Sequence, residues 1–426
     1  MGYEARSGIY MRIFKKIAIL TYDLHIQQTS THRYLSFLET LIEAGYEVEL
    51  IGVDFPFLPN PINNVKKEEI IEHLRPYVKT LKPSYLNFIQ KLLIYADAHH
   101  FPYQIKKILL AAHIIFYRVD QWTISRREFE NRSFKPDLII SGGSGGIIKS
   151  AFSWAKKTNA KLFLDYRDPW TYGYNLLETS QKISYFKKIF TRNQEKRYLK
   201  FAEKVITVSE TLKSFFPSPY KEKINIIENG SNFSEVKETK KERSVFSIVY
   251  IGTLYNDQLI DESFFFALKQ FVNKNNLSAQ KIKLCFVGST QNQKLGSVIE
   301  KHGLTDFTEI AARKGTSELL YYLLEASLFL HLRYGKRSGI ITSKQADYLY
   351  FNKPILLPNS DHGDIADSIN SYKAGYVCNG RIEVIEEVLD REYHRFLDDQ
   401  KLLKASTPRE ELSRKVISKK LLDMIS

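Results

Sequence analysis

Short apolar runs typical of buried strands alternate along the chain with segments whose apolar residues recur at helical spacing. KKIAILTYD (residues 15–23) and YEVELIGVD (residues 46–54) are two such runs. Between them, residues 30–45 carry leucines at helical intervals and stop at Gly45, a common helix terminator. The pattern predicts a strand, a helix and a second strand at the start of the chain.

The same alternation continues through the first half of the chain. A loop marked by Pro56, Pro59 and Pro61 precedes residues 66–130, which are predicted to be largely helical. Further predicted strands are DLIISGG, KLFLDYRD, KVITVSE and KINIIENG, and further predicted helices are IIKSAFSWAKKTN and KKIFTRNQEKRYLKFA.

A polar segment without apolar periodicity, SEVKETKKERS (residues 234–244), is predicted to be an interdomain linker. The pattern then restarts with the strands FSIVYIGTL, KIKLCFVGS, LFLHLR, KPILLP and AGYVCN, and it closes in a helix near residues 408–425. The predicted domains are 1–235, with 1–10 as an extension, 236–405, and a C-terminal helix within 406–426 that packs back on the first domain.

Strands that alternate with helices form parallel sheets with right-handed crossovers. Two such series joined by a linker predict an α/β protein with two Rossmann-like, doubly wound domains. Ligands of such sheets bind beyond the carboxyl ends of the strands. We therefore expect the chemistry of this protein where its strands end.

The composition of the chain indicates the cellular compartment and the kind of partner. Cys285 and Cys378, the two cysteines among 426 residues, lie in strand-like runs, which predicts buried thiols in a reducing, cytoplasmic compartment. No apolar stretch reaches the roughly 18 residues of a membrane span, and residues 1–20 lack the layout of a secretory signal. The formal net charge of +14 favours phosphates or an acidic membrane face as partners, with a solvated basic surface as the alternative.

Three charged residues, Asp165, Arg167 and Asp168, follow a predicted strand in the motif DYRDPW. A carboxylate at a strand end can orient or deprotonate an attacking hydroxyl, and an arginine can hold it in place. We predict that these three residues are catalytic. A structural ion pair that caps the following turn is the alternative.

The glycine-rich turn SGGSGG lies between a predicted strand and a predicted helix. Its backbone at Ser141, Gly142 and Gly143 can approach an anion or a sugar closely, and His25 lies in the loop after the first strand. We predict these four residues on the acceptor side of the site. For the glycines, a tight turn is the alternative.

Two strand ends in the second half carry candidate phosphate ligands. The turn in IGTL offers backbone amides, and the loop and helix after LHLR offer cations and a helix N-terminus that can neutralise a diphosphate without a metal. The predicted donor-binding residues are Gly252, Thr253, Arg333, Lys336, Arg337, Lys344 and Asp347, the last as a ligand of ribose hydroxyls. A solvated loop with an ion pair between Lys344 and Asp347 is the alternative.

Metal binding has little support in the sequence. His99 and His100 are adjacent, which is poor geometry for one shared ion, and neither an H-E-x-x-H pattern nor a Walker loop occurs. We therefore expect no metal site.

The run SGGSGGIIKSAFSWAKKTNAKLFLDYRDPW resembles the matching segment of family-4-like bacterial glycosyltransferases with the GT-B fold, which carry an Asp-x-Arg-Asp-Pro-Trp motif. KRYLKFAEKVITVSETLKSFF and INIIENGSN resemble two further segments of that family. YIGTL and SGIITSKQADYLYFNKPILL resemble its donor-binding half, in which Lys344, Tyr348 and Lys353 fit the pattern. The motifs keep the family's order from about residue 12 to 380.

The chain departs from the family at several positions. Asn232 replaces an aspartate, and Gly339 and Asp347 replace the two glutamates of the donor site. The resemblance then implies that backbone amides near Gly339 and Ile340 serve the donor sugar. The lysine and arginine that follow the first strand of the family's second domain are also missing, which leaves the phosphates to the cations named above.

What the resemblance implies is a metal-independent, retaining hexosyltransferase without a cofactor, for which a nucleotide-sugar is the co-substrate. The nucleotide-sugar would bind the second domain and a saccharide or lipid-linked acceptor the first, across a cleft that the domains face. The implied role is bacterial surface polysaccharide or glycolipid synthesis at the inner face of the membrane. The basic, aromatic region of residues 91–132 fits an acidic membrane surface, with a pair of ordinary packed helices as the alternative.

Three other functions account for parts of the sequence. A nucleotide-sugar 2-epimerase shares the two-domain architecture, although DYRDPW argues against it. A non-catalytic partner of the same fold is favoured by Gly339 and the missing cations. Nucleic-acid binding would explain the charge, but no motif supports it, and we expect no nucleic-acid partner.

Overall fold

A computed structural model describes residues 14–22, 24, 29–53, 72–82, 84, 88–116, 123–143, 145–168, 170–172, 185–236, 244–335, 337, 340–402 and 407–426. The chain divides into two compact units. Unit 1 comprises Met1–Glu228 with Ser418–Ser426, and unit 2 comprises Asn229–Ile417. The chain therefore passes between the units twice, after Glu228 and after Ile417.

Seven parallel strands form the sheet of unit 1: β1 (Lys16–Leu20), β2 (Glu47–Val53), β3 (Val78–Leu81), β4 (Leu138–Gly142), β5 (Lys161–Tyr166), β6 (Lys204–Thr207) and β7 (Ile224–Ile226). Their order across the sheet is β3-β2-β1-β4-β5-β6-β7. The direction of winding therefore reverses between β1 and β4, where Ile17 pairs with both Val48 and Leu138.

The helices of unit 1 are α1 (Thr29–Glu43), α2 (Phe88–Ala98), α3 (Tyr103–Phe116), α4 (Arg126–Glu130), α5 (Gly146–Thr158), α6 (Tyr185–Phe201), α7 (Glu210–Ser214), α8 (Ser218–Lys221) and, from the C-terminal segment, α16 (Lys420–Ile425). A 3₁₀ helix spans Glu72–Tyr77. Strands such as β1 and β4 are almost wholly buried, as is usual for parallel strands that helices cover on both faces.

Unit 2 repeats this architecture with six parallel strands: β8 (Phe246–Ile251), β9 (Ile282–Val287), β10 (Thr308–Ala311), β11 (Leu328–Leu330), β12 (Ile355–Leu357) and β13 (Gly375–Val377). Their order is β10-β9-β8-β11-β12-β13, so the winding reverses between β8 and β11. Its helices are α9 (Ser263–Lys274), α10 (Gln293–Lys301), α11 (Thr316–Glu325), α12 (Ser343–Phe351), α13 (Asp364–Ser371), α14 (Ile382–Leu402) and α15 (Arg414–Ile417), with 3₁₀ helices at Asn256–Leu259, Thr305–Phe307 and Glu410–Leu412.

Two parallel, doubly wound sheets confirm the predicted fold class, but several predicted elements were wrong or missed. The segment 66–130 is not continuously helical, because β3 lies within it as the partly exposed edge strand of the first sheet. The edge strand β10 was also missed, because its four residues are only partly buried and carry no apolar run. The single helix expected at 408–425 is instead a 3₁₀ turn followed by the short helices α15 and α16.

The boundary between the units falls between Glu228 and Asn229, a few residues ahead of the segment predicted as a linker. Of that segment, residues 237–243 lie outside the described residues. The connection is held within unit 2 by Arg414, which is buried and donates hydrogen bonds to the carbonyl oxygens of Asn229 (2.8 Å) and Gly230 (3.1 Å). Ser231 pairs with Ser413 in a parallel bridge beside it.

No helix in the described ranges is both long enough and apolar enough to cross a bilayer.

A buried ion pair joins α1 to the end of β5. Arg33 is 1% exposed, and its guanidinium donates to both carboxylate oxygens of Asp165, with Nε–Oδ2 2.8 Å and Nη2–Oδ1 3.1 Å. Its remaining nitrogen donates to the carbonyl oxygen of Glu228 at 2.8 Å, and the group lies 4.8 Å from the ring centroid of Phe37. The ion pair therefore connects the end of β5, helix α1 and Glu228, the last residue of unit 1 before the chain first crosses to unit 2.

We predict that Arg33→Met lowers the free energy of unfolding by about 3–5 kcal/mol, because it leaves the buried Asp165 carboxylate without the counter-charge it is paired with. Arg167→Met is the matched control, since it removes an arginine from the half-exposed pair with Asp168 and should cost only about 0–1 kcal/mol. Urea denaturation followed by circular dichroism measures both. Equal losses for the two variants would contradict a structural role for Arg33.

Candidate functional site

Doubly wound sheets bind ligands at the carboxyl edge where the direction of winding reverses. These points lie between β1 and β4 in unit 1 and between β8 and β11 in unit 2. In unit 2 this edge is formed by Gly252 after β8, His331 after β11, and the N-terminal end of α12, which follows β11 in the chain. In unit 1 it is formed by Tyr22 after β1 and Gly143 after β4.

Lys344, in the first turn of α12, lies over the turn that follows β8. Among the described residues, leaving aside the chain neighbours of Gly252, only the Lys344 side chain comes within 4 Å of the position that a Cβ atom on Gly252 would occupy, with its Cε at 3.5 Å and its Nζ at 3.9 Å. Gly252 has a φ of +91°, which favours glycine and leaves this face of the backbone without a side chain. The structure thus brings together two of the predicted donor-binding residues.

The ammonium group of Lys344 is surrounded by aromatic rings. It donates a short hydrogen bond to the hydroxyl of Tyr250 and lies 3.9 Å from the centroid of that ring and 5.6 Å from the ring of Tyr334. The Tyr250 hydroxyl in turn donates to the carbonyl oxygen of Thr253 and lies near the amide of Gln258. Cation–π contacts stabilise the ammonium only partly, since a desolvated charge loses far more in water contacts.

Burial lowers the pKa of Lys344 to about 7, and no described carboxylate pairs with the ammonium to oppose this shift. Lysines are rarely buried unless they are paired. A lysine that is 5% exposed, beside an open glycine turn at a strand end, is therefore placed to receive an anion from outside the chain.

The neighbouring groups of the pocket are also partly unsatisfied. His331 is fully buried, and neither ring nitrogen has a hydrogen-bond partner among the described residues. Thr342 is the N-cap of α12, but its hydroxyl makes no capping hydrogen bond in the described structure. The amide groups at the start of this nine-residue helix add positive potential at the same place.

The other predicted donor-binding residues differ in their surroundings. Arg333 donates to the carbonyl oxygen of Ser360 at 3.3 Å, and Arg337 forms an ion pair with Asp257. Thr253 is exposed, and Ile340 packs against the apolar core. Lys336 and Gly339 lie outside the described residues.

The carboxylate of Asp347 contacts residues 231–232, the start of the chain in unit 2, rather than Lys344. Its Oδ1 accepts hydrogen bonds from the Ser231 hydroxyl at 2.7 Å and from the Asn232 amide at 3.2 Å. Burial raises its pKa to about 6, and the Ser231 hydrogen bond and the charge of Arg414 oppose that rise. The ion pair with Lys344, which was the alternative to a donor-binding role, is therefore not among the described contacts of Asp347, whose carboxylate instead holds residues 231–232.

At the end of β5, the three residues predicted as catalytic separate into two groups. Asp165 is wholly buried in its pair with Arg33, which is a structural contact. Arg167 donates to the Asp168 carboxylate, whose side chain is 56% exposed. Of the two carboxylates, only that of Asp168 is open to a substrate.

The glycine turn after β4 is filled by tyrosine rings. A Cβ atom on Gly142 would lie 2.0 Å from the hydroxyl oxygen of Tyr34, and one on Gly143 would lie 2.3 Å from the ring of Tyr22. Ser141 is buried. These glycines therefore make room for side chains of unit 1 itself, and His25 lies outside the described residues.

Helix α6 holds the segment that follows Asp168. Glu195 accepts hydrogen bonds from both the amide (2.9 Å) and the hydroxyl of Thr171, and Arg192 donates to the Thr171 carbonyl oxygen at 3.1 Å. Trp170 stacks on Tyr198 of the same helix, with ring centroids 6.4 Å apart. Burial raises the pKa of Glu195 to about 7, and the Thr171 hydrogen bonds oppose that rise. This basic helix was predicted, but its contact with the DYRDPW segment was not.

Sequence reasoning also missed Tyr250, Tyr334 and His331, which surround Lys344. Tyr250 lies on β8, His331 directly after β11 and Tyr334 in the loop that follows β11, so their position near a carboxyl edge was a usable signal. In the sequence pattern, tyrosines at these positions are indistinguishable from core residues. Only the fold shows that a lysine lies against the rings of Tyr250 and Tyr334.

We predict that Lys344→Met raises the free energy of unfolding at neutral pH. An unfolded lysine keeps its proton up to about pH 10.4, whereas the folded Lys344 loses it near 7, so folding releases a proton between these values. Stability of the wild type therefore rises with pH across this window. The difference in free energy of unfolding between Lys344→Met and the wild type should be largest below about pH 7 and should decrease towards about pH 10.

Urea denaturation at about pH 6.5 and about pH 9 measures this difference. The matched control is Lys353→Met, because Lys353 is equally buried but donates to the carbonyl oxygens of Leu323 and Leu324. Its loss should cost about 1–3 kcal/mol by leaving buried acceptors unsatisfied. A Lys344→Met protein less stable than the wild type would refute an unpaired, destabilising lysine.

Comparison by sequence identifies no relative: no family model matches the chain, and no curated protein does. Comparison of structures gives a clear result. Sucrose-phosphate synthase from Thermosynechococcus elongatus matches with a TM-score of 0.57 and 11% identity, over 96% of this chain and 98% of that protein. S. aureus TarM in complex with fondaparinux, alpha-GlcNAc-glycerol and UDP matches with a TM-score of 0.54 and 12% identity, over 97% and 100%.

The UDP-GlcNAc 2-epimerase from Neisseria meningitidis bound to UDP-GlcNAc is also similar, with a TM-score of 0.52 and 10% identity over 96% of this chain and 99% of that one. Glycosyltransferases and epimerases thus share this architecture. At such low identity the likeness establishes the fold alone. Together with the two parallel sheets, it confirms that the chain has the GT-B fold.

Proposed function

We propose that this protein is a glycosyltransferase that moves a hexose from a nucleotide-sugar to a saccharide or lipid-linked acceptor. The observation that carries the proposal is the buried, unpaired Lys344 over Gly252 at the carboxyl edge of the second sheet. A desolvated cation beside a glycine turn that carries no side chain, and beside a helix N-terminus, suits the diphosphate of a nucleotide-sugar. GT-B neighbours that hold UDP or UDP-GlcNAc add support.

In this proposal unit 2 binds the donor. Lys344 and the first amides of α12 would take the charge that develops on the diphosphate as the bond to the sugar breaks, so no metal ion is needed. Arg333, which is half-buried on the same edge, would add a second cation. The retaining outcome and a role in bacterial surface polysaccharide or glycolipid synthesis come from the family resemblance and are part of the proposal.

Asp168 is our candidate for the acceptor hydroxyl. It is the open carboxylate of the DYRDPW segment, Arg167 holds it, and α6 fixes the residues that follow it. A carboxylate placed in this way can orient the hydroxyl and accept its proton. Asp165 is left out of the mechanism, because its carboxylate is saturated by Arg33.

We further propose that unit 1 meets its acceptor at an anionic membrane surface through the α2–α3 hairpin. The two helices pack against each other and expose large apolar side chains, with Phe88 72%, Tyr103 66% and Ile108 69% exposed. Lys91 and Lys107 are exposed among them. Apolar anchors mixed with lysines suit a helix that lies in the interface of an acidic bilayer.

The donor is tested by a thermal-shift panel of UDP-, GDP-, ADP- and CMP-sugars with a chelator present. We expect one nucleotide class to raise the melting temperature by several degrees, and Lys344→Met to abolish the rise, because it removes the cation that meets the diphosphate. If no nucleotide shifts the wild type, the protein is not a nucleotide-sugar enzyme.

The reaction is tested with the nucleotide-sugar that this panel selects. Asp168→Asn should lower transfer about 100-fold or more while the nucleotide still raises the melting temperature. Asp306→Asn, at an exposed carboxylate of unit 2, is the control and should transfer normally. Epimerised sugar in the absence of acceptor would instead identify the protein as an epimerase.

The membrane surface is tested by co-sedimentation with vesicles of phosphatidylglycerol and phosphatidylcholine, compared with phosphatidylcholine alone. We expect binding to the anionic vesicles only, loss of binding in Tyr103→Ser/Ile108→Ser, and weakening by salt. Ile260→Ser is the control, because Ile260 is 71% exposed on unit 2. Equal sedimentation of wild type and double variant would exclude the hairpin as the docking surface.

A further inference from the structure

His331 follows β11 directly and has the ring of Tyr334 as a common neighbour with the ammonium of Lys344. Its ring meets the ring of Tyr348 edge-on at 6.0 Å and that of Tyr334 at 6.4 Å. It points to the same side of the sheet as Phe329, two residues earlier, which stacks on Tyr348 at 4.3 Å. His331 thus occupies the layer between the second sheet and α12, next to the lysine at the start of that helix.

An imidazole in this setting is unusual. Buried polar atoms nearly always have hydrogen-bond partners, and a missing one costs about 1–3 kcal/mol. Neither nitrogen of His331 has a partner among the described residues, although the side chain is 0% exposed. Among the described residues, its neighbour Lys344 donates only to a tyrosine hydroxyl, whereas Lys353 in the same unit donates to two carbonyl oxygens.

The groups that face this pair from each packed element carry no charge at neutral pH. β8 contributes Tyr250, the loop after β11 contributes Tyr334, and α12 contributes Tyr348. The nearest acids of these elements are occupied elsewhere, since Asp347 accepts from Ser231 and Asp257 pairs with Arg337. In the described structure the pocket therefore holds two bases and no counter-charge.

Two protonated bases side by side in a buried pocket would repel each other. Burial lowers the pKa of His331 well below its usual value, and the charge of Lys344 lowers it further, against the opposing effect of a poorly aligned contact with the Leu332 backbone. Without a ligand, Lys344 and His331 therefore favour their neutral forms, because a proton on either would be a desolvated charge without a counter-charge. An anion that enters the pocket favours the protonated forms of both residues, because it supplies the missing counter-charge.

We propose that His331 is a second anion-binding residue of the diphosphate site, and that the Lys344–His331 pair takes up protons from solvent when a nucleoside diphosphate binds. This inference rests on the proposed function and deepens it. It predicts that affinity for the nucleotide falls as pH rises, with a slope set by the number of protons taken up.

The test is isothermal titration of the wild type with UDP, with a chelator present, at about pH 8 in HEPES and in Tris buffer, which differ in ionisation heat and supply no phosphate to compete for the site. UDP is then fully ionised, because a terminal phosphate titrates near pH 6. Proton uptake makes the observed heat depend on the buffer. We expect about one proton or more per UDP, and about tenfold weaker binding per pH unit for each proton.

His331→Gln should reduce the number of protons taken up and flatten the pH dependence, while UDP still binds. His302→Gln is the matched control, because His302 is a partly buried histidine of unit 2 paired with Glu262, and it should keep the wild-type proton number. UDP binding with the same heat in both buffers overturns the inference and leaves the proposed function standing. If neither UDP nor another nucleotide binds, both fail.

Discussion

A parallel sheet that is covered by helices on both faces can present polar groups only where its strands end. This constraint governs the whole molecule. The central strands of both units are almost wholly buried, so their bodies leave no room for chemistry. The residues proposed to meet the diphosphate or the acceptor hydroxyl lie after a strand end or in the first turn of the helix that follows it.

The same position at a strand end has opposite consequences in the two units. In unit 1, Asp165 meets Arg33, and the nearby glycine turn is filled by the rings of Tyr34 and Tyr22, so the edge is closed by the chain itself. In unit 2, the described contacts of the Lys344 ammonium are a tyrosine hydroxyl and two tyrosine rings, and the side chain lies over an open glycine turn. A buried charge that the fold pairs contributes to structure, whereas one that it leaves unpaired lowers stability and is best explained by a ligand.

Charged side chains also connect these edges to the rest of each unit. Within unit 2, Asp347 lies one turn after Lys344 on the same helix and holds Ser231 and Asn232, which follow directly after the crossing from unit 1. Within unit 1, Arg33 holds the carbonyl oxygen of Glu228, the last residue before that crossing. The segment of chain that leaves one unit and enters the other is thus fixed in each by a buried charged residue.

The sequence by itself determined the order of strands and helices and the parallel, doubly wound class, because apolar periodicity reflects local burial. It also pointed to Lys344 and Gly252, since glycine turns and helix starts after buried strands can be read from spacing. It missed the edge strands β3 and β10, which are too exposed to carry an apolar run. Only the tertiary structure decided that Asp165 is paired, that Asp168 is open, and that the described residues give the His331 ring nitrogens no well-formed hydrogen bond. Those facts depend on which side chains meet across more than a hundred residues of chain, as Arg33 and Asp165 do, and no local pattern encodes such contacts.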